Sequence, residues 1–316
     1  MHWPPYKLAT RDYLAQAQKK YSRVERIYHV GQHHSWSGKD VLRDLLRKHG
    51  GIDLPPDKRA ALREISSTLL WGELAAWSIS ADLALQLKTV EAKMAATSQT
   101  HDEARHFYTL RDYLLELGGE LPQLDGYSHT VLTSILDSSC LAEQLLALQL
   151  IVENLAVNTF KALQKAQVEP VLAELLSYFE RDEARHIGLG VLYLPELLEQ
   201  LTPLQAFRLQ LFQVKVATLI GWGAQLRRPY YEALGIDLNA SMRRGMRLHL
   251  EVLAGLRSHC ETEPRAIFMA SAEQQRMNDL SVDLFFPRAG SHQPQWQRVM
   301  LGATNAVAAV GERLLA

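Results

Sequence analysis

The sequence predicts an all-α protein built around a four-helix bundle, on three observations. Apolar residues recur at intervals of three and four residues through almost every long segment, which is the pattern of one helix face. No segment shows a convincing alternation of apolar and polar residues over the length of a strand. Two long segments share a repeated motif, and each is long enough to form a hairpin of two helices.

Composition and charge exclude several kinds of partner. Of the 316 residues 47% are hydrophobic, and Lys+Arg 34 against Asp+Glu 35 leave a net charge of -1. This balance creates no field that would attract phosphate groups or anionic lipids, so we expect neither nucleic acid nor a membrane as a partner. The apolar runs are shorter than the roughly 20 residues that cross a bilayer, and no secretory signal is evident, so a cytoplasmic location is expected.

Glycine and proline residues divide the chain into helical blocks. A first block ends at Gly50 and Gly51, which suit the C-terminus of a helix. The blocks Asp57–Leu117 and Ser128–Leu201 follow, and each is interpreted as a helix hairpin because it is too long for one globular helix.

The two hairpins are expected to form the bundle, which spans about 60–200. The flanking segments, 1–55 and 202–316, are predicted to add accessory helices around it. No linker is flexible enough to mark a domain boundary, so 1–316 is expected to be a single helical domain. Apolar helices exposed in the last third would suit a homodimer.

A repeated motif within the two hairpins predicts the chemistry of the protein. The string Asp-Glu-Ala-Arg-His occurs at 102–106 and again at 182–186. A further glutamate stands 30 residues before the Glu of each string, at Glu73 and at Glu153. The two halves therefore match without a gap, which chance does not readily produce.

The spacing within each string predicts a metal centre. The Glu and the His lie three residues apart and so share one helix face as a chelating pair. A bundle of two such hairpins brings four carboxylates together, and an apolar core tolerates their charge only if two divalent ions neutralise it. The predicted metal ligands, which are also the predicted catalytic residues, are Glu73, Glu103, His106, Glu153, Glu183 and His186.

The hairpin turns must fall at defined positions for this geometry to close. The first hairpin has to turn near residue 88, where Thr89 is a candidate N-cap. The second has to turn near residue 168, and Pro170 stands where a new helix would begin.

The remaining residues of each string are predicted to support the ligands. Metal-bound imidazoles usually donate their second ring N–H to a carboxylate. We therefore expect Asp182 to accept from His106 and Asp102 to accept from His186, across the bundle. The predicted supporting residues are Asp102, Asp182, Arg105 and Arg185.

The donor atoms limit the identity of the metal. Cys140 and Cys260 cannot form a disulfide framework or a cysteine-based zinc or iron–sulfur site. Oxygen and nitrogen ligands suit iron or manganese, and ligand type alone leaves zinc open.

With these motifs, the chain resembles the ferritin-like di-iron carboxylate superfamily over roughly 60–200, most closely its O₂-activating oxygenase and desaturase branch. The resemblance implies a ferritin-like bundle that holds two iron ions, or one manganese and one iron, with two manganese ions as the less favoured alternative. It also implies O₂ as co-substrate and an external electron donor. The implied activity is that of an oxidoreductase that hydroxylates, N-oxygenates or desaturates an organic substrate.

Other functions fit the resemblance less well or stay open. The ribonucleotide reductase small subunit has Asp at the first ligand position and a radical Tyr one turn beyond the first ligand His, where this chain has Glu73 and Leu110. Peroxide dismutation of the manganese-catalase kind remains an alternative. Non-enzymatic binding or storage of iron is another.

Residues one turn from the ligands on the same faces are predicted to line a substrate pocket. They are largely apolar, which favours a small apolar or aromatic substrate. Gln99 and Gln149 would be hydrogen-bond donors there, and Gly190 would leave room for a channel beside the metal. A plain role in the core is the alternative for each. The predicted pocket residues are Trp77, Leu110, Gln149, Val157, Phe160, Phe179 and Gly190.

Overall fold

The computed structural model describes residues 11–260, 282–283 and 285–287. These ranges are predominantly helical and contain no strand, which confirms the predicted all-α class. Within them, no helix combines the length and the apolar content that crossing a bilayer requires. In chain order the helices are α1 (Arg11–His33), α2 (Gly38–His49), α3 (Pro56–Gln86), α4 (Val90–Leu117), α5 (Gly126–Leu136), α6 (Leu141–Leu145), a π-helical segment (Leu146–Val152), α7 (Glu153–Ala166), α8 (Pro170–Glu199), α9 (Pro203–Leu226), α10 (Arg228–Ala233) and α11 (Leu238–Arg257).

Both predicted hairpin turns are confirmed. α3 ends at Gln86 and α4 begins at Val90, and the hydroxyl of Thr89 caps α4 by accepting a backbone N–H at 3.2 Å. α8 begins at Pro170, and the carboxylate of Glu169 accepts two backbone N–H groups of its first turn. The arms of both hairpins consequently bring the repeated strings to the same height in the bundle.

The core of the bundle consists of two apolar clusters with a polar layer between them. Along α3, Leu62 and Leu70 belong to one cluster and Ile79 and Leu83 to the other, and Glu73 lies between them. The arms formed by α4, by α7 with the segment before it, and by α8 are divided in the same way. The polar layer is therefore closed above and below by hydrocarbon.

The first arm of the second hairpin differs from the prediction of one helix beginning near residue 128. It is broken after α5, where the hydroxyl of Ser138 accepts the N–H of Cys140 at 3.1 Å and donates to Glu143 at 2.6 Å. Serine side chains that bind the local backbone compete with helix formation, which accounts for the break. The arm then continues through α6 and the π-helical segment, whose wider coil leads directly into Glu153.

Accessory helices cover the bundle on several sides. α1 and α2 pack on α4 and α8, α5 and α10 pack on α3, and α11 packs on α7, α8 and the π-helical segment. α9 lies against α5 and exposes an apolar stripe of Leu204, Phe207, Leu211 and Val214. The helices predicted in 202–316 are observed as far as Arg257, whereas positions 261–281, 284 and 288–316 lie outside the described residues.

Candidate metal centre

The polar layer brings together the six predicted ligands, each at most 4% exposed. Their ligand atoms form two sets, and within each set all atoms lie within 4.8 Å of one another. The first group consists of Glu73, Glu103, His106 and Glu183, and the second group of Glu103, Glu153, Glu183 and His186. Glu103 and Glu183 belong to both groups, so the two groups are joined.

Both imidazoles turn Nδ1 toward the carboxylates. Nδ1 of His106 lies 3.4 Å from Oε2 of Glu73 and 3.2 Å from Oε1 of Glu183. Nδ1 of His186 lies 3.0 Å from Oε1 of Glu103 and 2.7 Å from Oε2 of Glu183. Each helix turn thus presents one nitrogen and one carboxylate to a common space, as the three-residue spacing requires.

Several oxygen and nitrogen atoms of this layer are better placed to bind a cation than to form hydrogen bonds with one another. Within the part of the chain that the structure describes, Oε2 of Glu103, Oε1 of Glu183 and Nδ1 of His106 are buried and make no hydrogen bond of acceptable geometry, although Nδ1 of His106 and Oε1 of Glu183 lie 3.2 Å apart. Buried polar atoms are ordinarily paired, so such a cluster calls for a missing partner. Carboxylate oxygens and imidazole nitrogens without a thiolate suit iron or manganese.

The second ring nitrogens bind aspartates across the bundle. Nε2 of His106 donates to Asp182 at 3.2 Å, and Nε2 of His186 donates to Asp102 at 3.3 Å. These contacts leave Nδ1 of each ring as the atom available to an ion.

Two arginines complete a buried ring of four charges with these aspartates. Arg105 donates to Asp102 at 2.5 Å and to Asp182 at 2.8 Å. Arg185 donates to Asp102 at 2.7 Å and to Asp182 at 2.9 Å. Each charge contacts two of opposite sign, so the ring is neutral by itself and adds no charge to the six ligands.

Trp36, in the loop between α1 and α2, was not predicted from the sequence. Its Nε1–H donates to Asp182 at 2.7 Å, and the guanidinium of Arg105 lies 4.8 Å from the centroid of its ring. It is partly exposed, so it connects the surface to the polar layer. No local pattern relates a loop tryptophan to an aspartate 146 positions later.

The pKa values of the buried side chains in this layer are shifted by burial and by contact with one another, and burial and these contacts often act in opposite directions. Burial raises the pKa of Glu73 and of Glu153 well above the ordinary glutamate value. Burial opposes the charge on Glu103, but the imidazoles of His186 and His106 together outweigh burial and hold the pKa of Glu103 well below that value. Burial also opposes the charge on the imidazoles, but carboxylate partners raise the pKa of His106 and His186 well above the ordinary value.

A cavity of about 100 Å³ reaches the layer from the side opposite the charged ring. Glu73 and Glu153 form part of its wall, and α3, α5, α7 and α9 supply most of the remainder. Its lining is mainly apolar, with Arg227 as its cationic side chain. The seven predicted pocket residues do not line this cavity: Trp77, Leu110, Gln149, Val157, Phe160, Phe179 and Gly190.

The predicted pocket residues mostly fill space instead. Leu110, Phe160 and Phe179 are fully buried in one apolar cluster, and Phe179 stacks on His106 with ring centroids 4.2 Å apart. Val157 is buried on α7, whereas Trp77 is 38% exposed. Helical spacing places these residues near the ligands, but it does not determine which neighbouring helix covers them.

Gly190 does not open a channel, because Gln149 occupies the space. A Cβ atom at position 190 would lie 2.6 Å from Cβ of Gln149. The glycine therefore permits close packing of α8 on the π-helical segment.

The fold is similar to that of solved R2-like ligand-binding oxidases. A variant with an aerobically reconstituted Mn/Fe cofactor has a TM-score of 0.54 and 16% identity, over 82% of this chain and 98% of that chain. A variant with an aerobically reconstituted Fe/Fe cofactor has a TM-score of 0.48 and 14% identity, over 98% of this chain and 99% of that chain.

No protein-family profile matches the chain, and no curated protein matches it by sequence. The likeness to the first oxidase confirms a ferritin-like bundle, the fold that the repeated strings indicated.

We expect the uptake of two divalent ions to release protons. Raised pKa values favour the protonated forms of His106, His186, Glu73 and Glu153 in the metal-free protein. A ligand must give up such a proton to bind an ion, so metal binding should release protons and the affinity for metal should rise with pH. Isothermal titration with Co²⁺ in buffers of different ionisation enthalpy measures this release. Heats that do not depend on the buffer would contradict it.

Proposed function

We propose that the protein is a dinuclear-metal oxidase that uses O₂ to oxidise a small, largely apolar organic molecule. This proposal rests on the two groups of buried carboxylates and imidazoles, which together contain six side chains and have Glu103 and Glu183 in common. The likeness of the fold to an R2-like ligand-binding oxidase with a Mn/Fe cofactor supports it. We propose two iron ions, or one manganese and one iron, as the resident metals.

Each ligand has a distinct part in holding the ions. His106 and His186 would each give Nδ1 to one ion, Glu73 and Glu153 would each bind one ion, and the shared pair of glutamates would bind both. Redox-active ions bound there would supply the reaction with O₂ that carboxylates and imidazoles cannot supply themselves. The ring of Asp102, Arg105, Asp182 and Arg185 would keep both imidazoles in the tautomer that presents Nδ1.

The cavity favours oxidation of an organic molecule over storage of iron. It is walled mainly by hydrocarbon and ends at two of the proposed ligands, so an apolar group would displace little ordered water there. Its volume of about 100 Å³ is below the ~150 Å³ that holds benzene, so it would admit a slender or small group. We therefore propose a small apolar substrate, with hydroxylation, N-oxygenation and desaturation as the candidate reactions.

Electrons from an external donor have a short path to the centre. Trp36 reaches His106 through two hydrogen bonds, by way of Asp182. Its ring centroid lies 6.2 Å from that of His106. We propose that the external donor reduces the centre at this side, opposite the cavity.

The overlap of the two groups predicts which substitutions remove one ion and which remove both. Glu183→Ala removes a ligand from both groups, so we expect loss of nearly all bound metal. Glu73→Ala leaves the second group complete, so about one ion per chain should remain. Metal analysis after loading with Fe²⁺ without oxygen measures both. Equal metal content in these two variants would contradict the proposed sharing.

Reaction with O₂ tests the proposed activity. Anaerobic protein loaded with Fe²⁺ should consume O₂ with an absorbance change in the visible range, and a small apolar additive that fits the cavity should change the decay of that signal. Glu183→Ala serves as the control that lacks the metal. Rapid release of oxygen from peroxide would instead favour a catalase, and accumulation of many irons per chain would favour storage.

Replacement of Trp36 tests the path of the electrons. Trp36→Phe keeps an aromatic ring but removes the N–H donated to Asp182, so reduction of the oxidised protein by an external donor should slow by at least tenfold. Metal content should stay unchanged. Tyr178→Phe is the matched control, since this ring lies 5.1 Å from Trp36 and no hydrogen bond from it to Asp182 is observed. Equal reduction rates in both variants would rule out the path.

A further inference from the structure

We propose that Gln99 and Gln149, here called the amide pair, are positioning residues that make the two metal groups unequal. The amide pair holds Glu103 and Glu153 for the ion of the second group, and the first group has no counterpart. This inference rests on the proposed metal centre and extends it to residues that bind no metal themselves.

The amide pair forms a continuous chain of hydrogen bonds to two ligands. Nε2 of Gln99 donates to Oε1 of Glu103 at 2.9 Å and to Oε1 of Glu153 at 3.1 Å. Nε2 of Gln149 donates to Oε1 of Gln99 at 2.6 Å. Both amides are at most 1% exposed, so water does not compete for these contacts.

The chemistry of the acceptors fixes the orientation of both amides. Glu103 and Glu153 would both be ionised as metal ligands, and an ionised carboxylate accepts hydrogen bonds and donates none, so Gln99 has to turn its NH₂ group toward them. Its carbonyl oxygen then faces Gln149, which has to turn its own NH₂ group inward. Oε1 of Gln149 is left buried without a partner in the described part of the chain. The carboxylates therefore determine the orientation of Gln99, and Gln99 determines that of Gln149.

The local structure around Gln149 is adapted to this contact. Gln149 lies in the π-helical segment, one turn before Glu153, where five successive residues from Leu146 to Leu150 are buried. Gly190 supplies the space on the facing helix, because a Cβ atom there would lie 2.6 Å from Cβ and 3.3 Å from Cγ of Gln149. A larger residue at 190 would displace the amide.

The amide pair breaks the symmetry of the repeat. The strings lie 80 positions apart, so Gln99 corresponds to Phe179 and Gln149 corresponds to Leu69. Phe179 stacks on His106 and Leu69 belongs to an apolar cluster, so the first group has hydrocarbon where the second has two amides. Ligand identities repeat between the halves, whereas the surroundings of the ligands do not.

The carboxylate oxygen of Glu103 that accepts the hydrogen bond from Gln99 indicates which metal group the amide pair supports. Oε1 of Glu103 faces Nδ1 of His186 at 3.0 Å, and Oε2 lies 3.5 Å from Nδ1 of His106. Gln99 contacts Oε1, together with Glu153, which belongs only to the second group. Loss of the amide pair should therefore weaken the second group selectively.

Stepwise binding of Co²⁺ to the metal-free full chain tests this inference. Gln99→Leu removes the amide at similar volume. It should lower the affinity for one of the two Co²⁺ ions about 10- to 100-fold and leave the affinity for the other within about twofold. Gln149→Leu should act in the same direction with a smaller effect, because it acts through Gln99. Gln144→Leu is the matched control, a buried amide that binds Asp82 and for which no contact with a ligand is observed.

Variants that keep one group identify the affected ion. In a Glu73→Ala background only the second group is complete, so Gln99→Leu should lower the affinity for the remaining Co²⁺ ion by the same 10- to 100-fold. In a Glu153→Ala background the remaining ion should be nearly insensitive to Gln99→Leu. The visible spectrum of bound Co²⁺ should change in the first background and not in the second.

Several outcomes overturn the inference. An isotherm of Gln99→Leu that matches the unmodified protein excludes a positioning role. An equal loss of affinity for both ions indicates a general loss of structure instead. So does a loss of affinity in Gln144→Leu as large as that in Gln99→Leu. If the unmodified protein binds fewer than two Co²⁺ ions, the proposed function fails together with the inference, whereas two ions of unchanged affinity in Gln99→Leu refute the inference alone.

Discussion

The burial of four carboxylates in the middle of an apolar bundle is the constraint on which the rest of the structure depends. Glu73, Glu103, Glu153 and Glu183 lie between two hydrocarbon clusters, where an unpaired charge is strongly unfavourable. Two imidazoles offset part of this charge in the metal-free protein, and burial raises the pKa of Glu73 and Glu153, which favours their protonated, neutral forms. Under the proposed function, two divalent cations would take the place of those protons, which would link metal binding to the stability of the core.

The accessory helices follow from the same constraint. A bare four-helix bundle would leave the aspartates and arginines behind the histidines open to water, which would weaken their hold on the imidazoles. α1 and α2 cover that side, and the loop between them supplies Trp36 to Asp182. α5 and α9 enclose the cavity on the other side. The centre thus has a charged side and an apolar side, and this division separates the proposed entry of electrons from the proposed site of the substrate.

Much of the fold and the proximity of the six ligands could be predicted because helix geometry fixes short spacings. A three-residue interval sets Glu103 beside His106, and the 30-residue interval sets Glu73 opposite them once a turn falls near residue 88. The cavity, Trp36 and the role of Gly190 could not be predicted in this way. They depend on which helices pack together across the bundle. A single sequence carries no local signal for such contacts, whether between Gly190 and Gln149 or between Trp36 and Asp182. The break after α5 was missed because Ser138 acts through side-chain hydrogen bonds rather than through hydrophobic periodicity.

An internal repeat would give two identical metal sites if only the ligands mattered. Here the repeat preserves the ligands, and the side chains one turn away differ, with amides on one side and an aromatic ring on the other. An amide N–H on a carboxylate oxygen draws charge from it and fixes its direction, whereas a stacked ring restrains an imidazole without changing the charge of the carboxylates. The two ions would therefore experience different fields from the same set of ligands. Under the proposed function, such a difference would give O₂ and an organic group unequal sides of the centre, which a symmetric pair of ions would not provide.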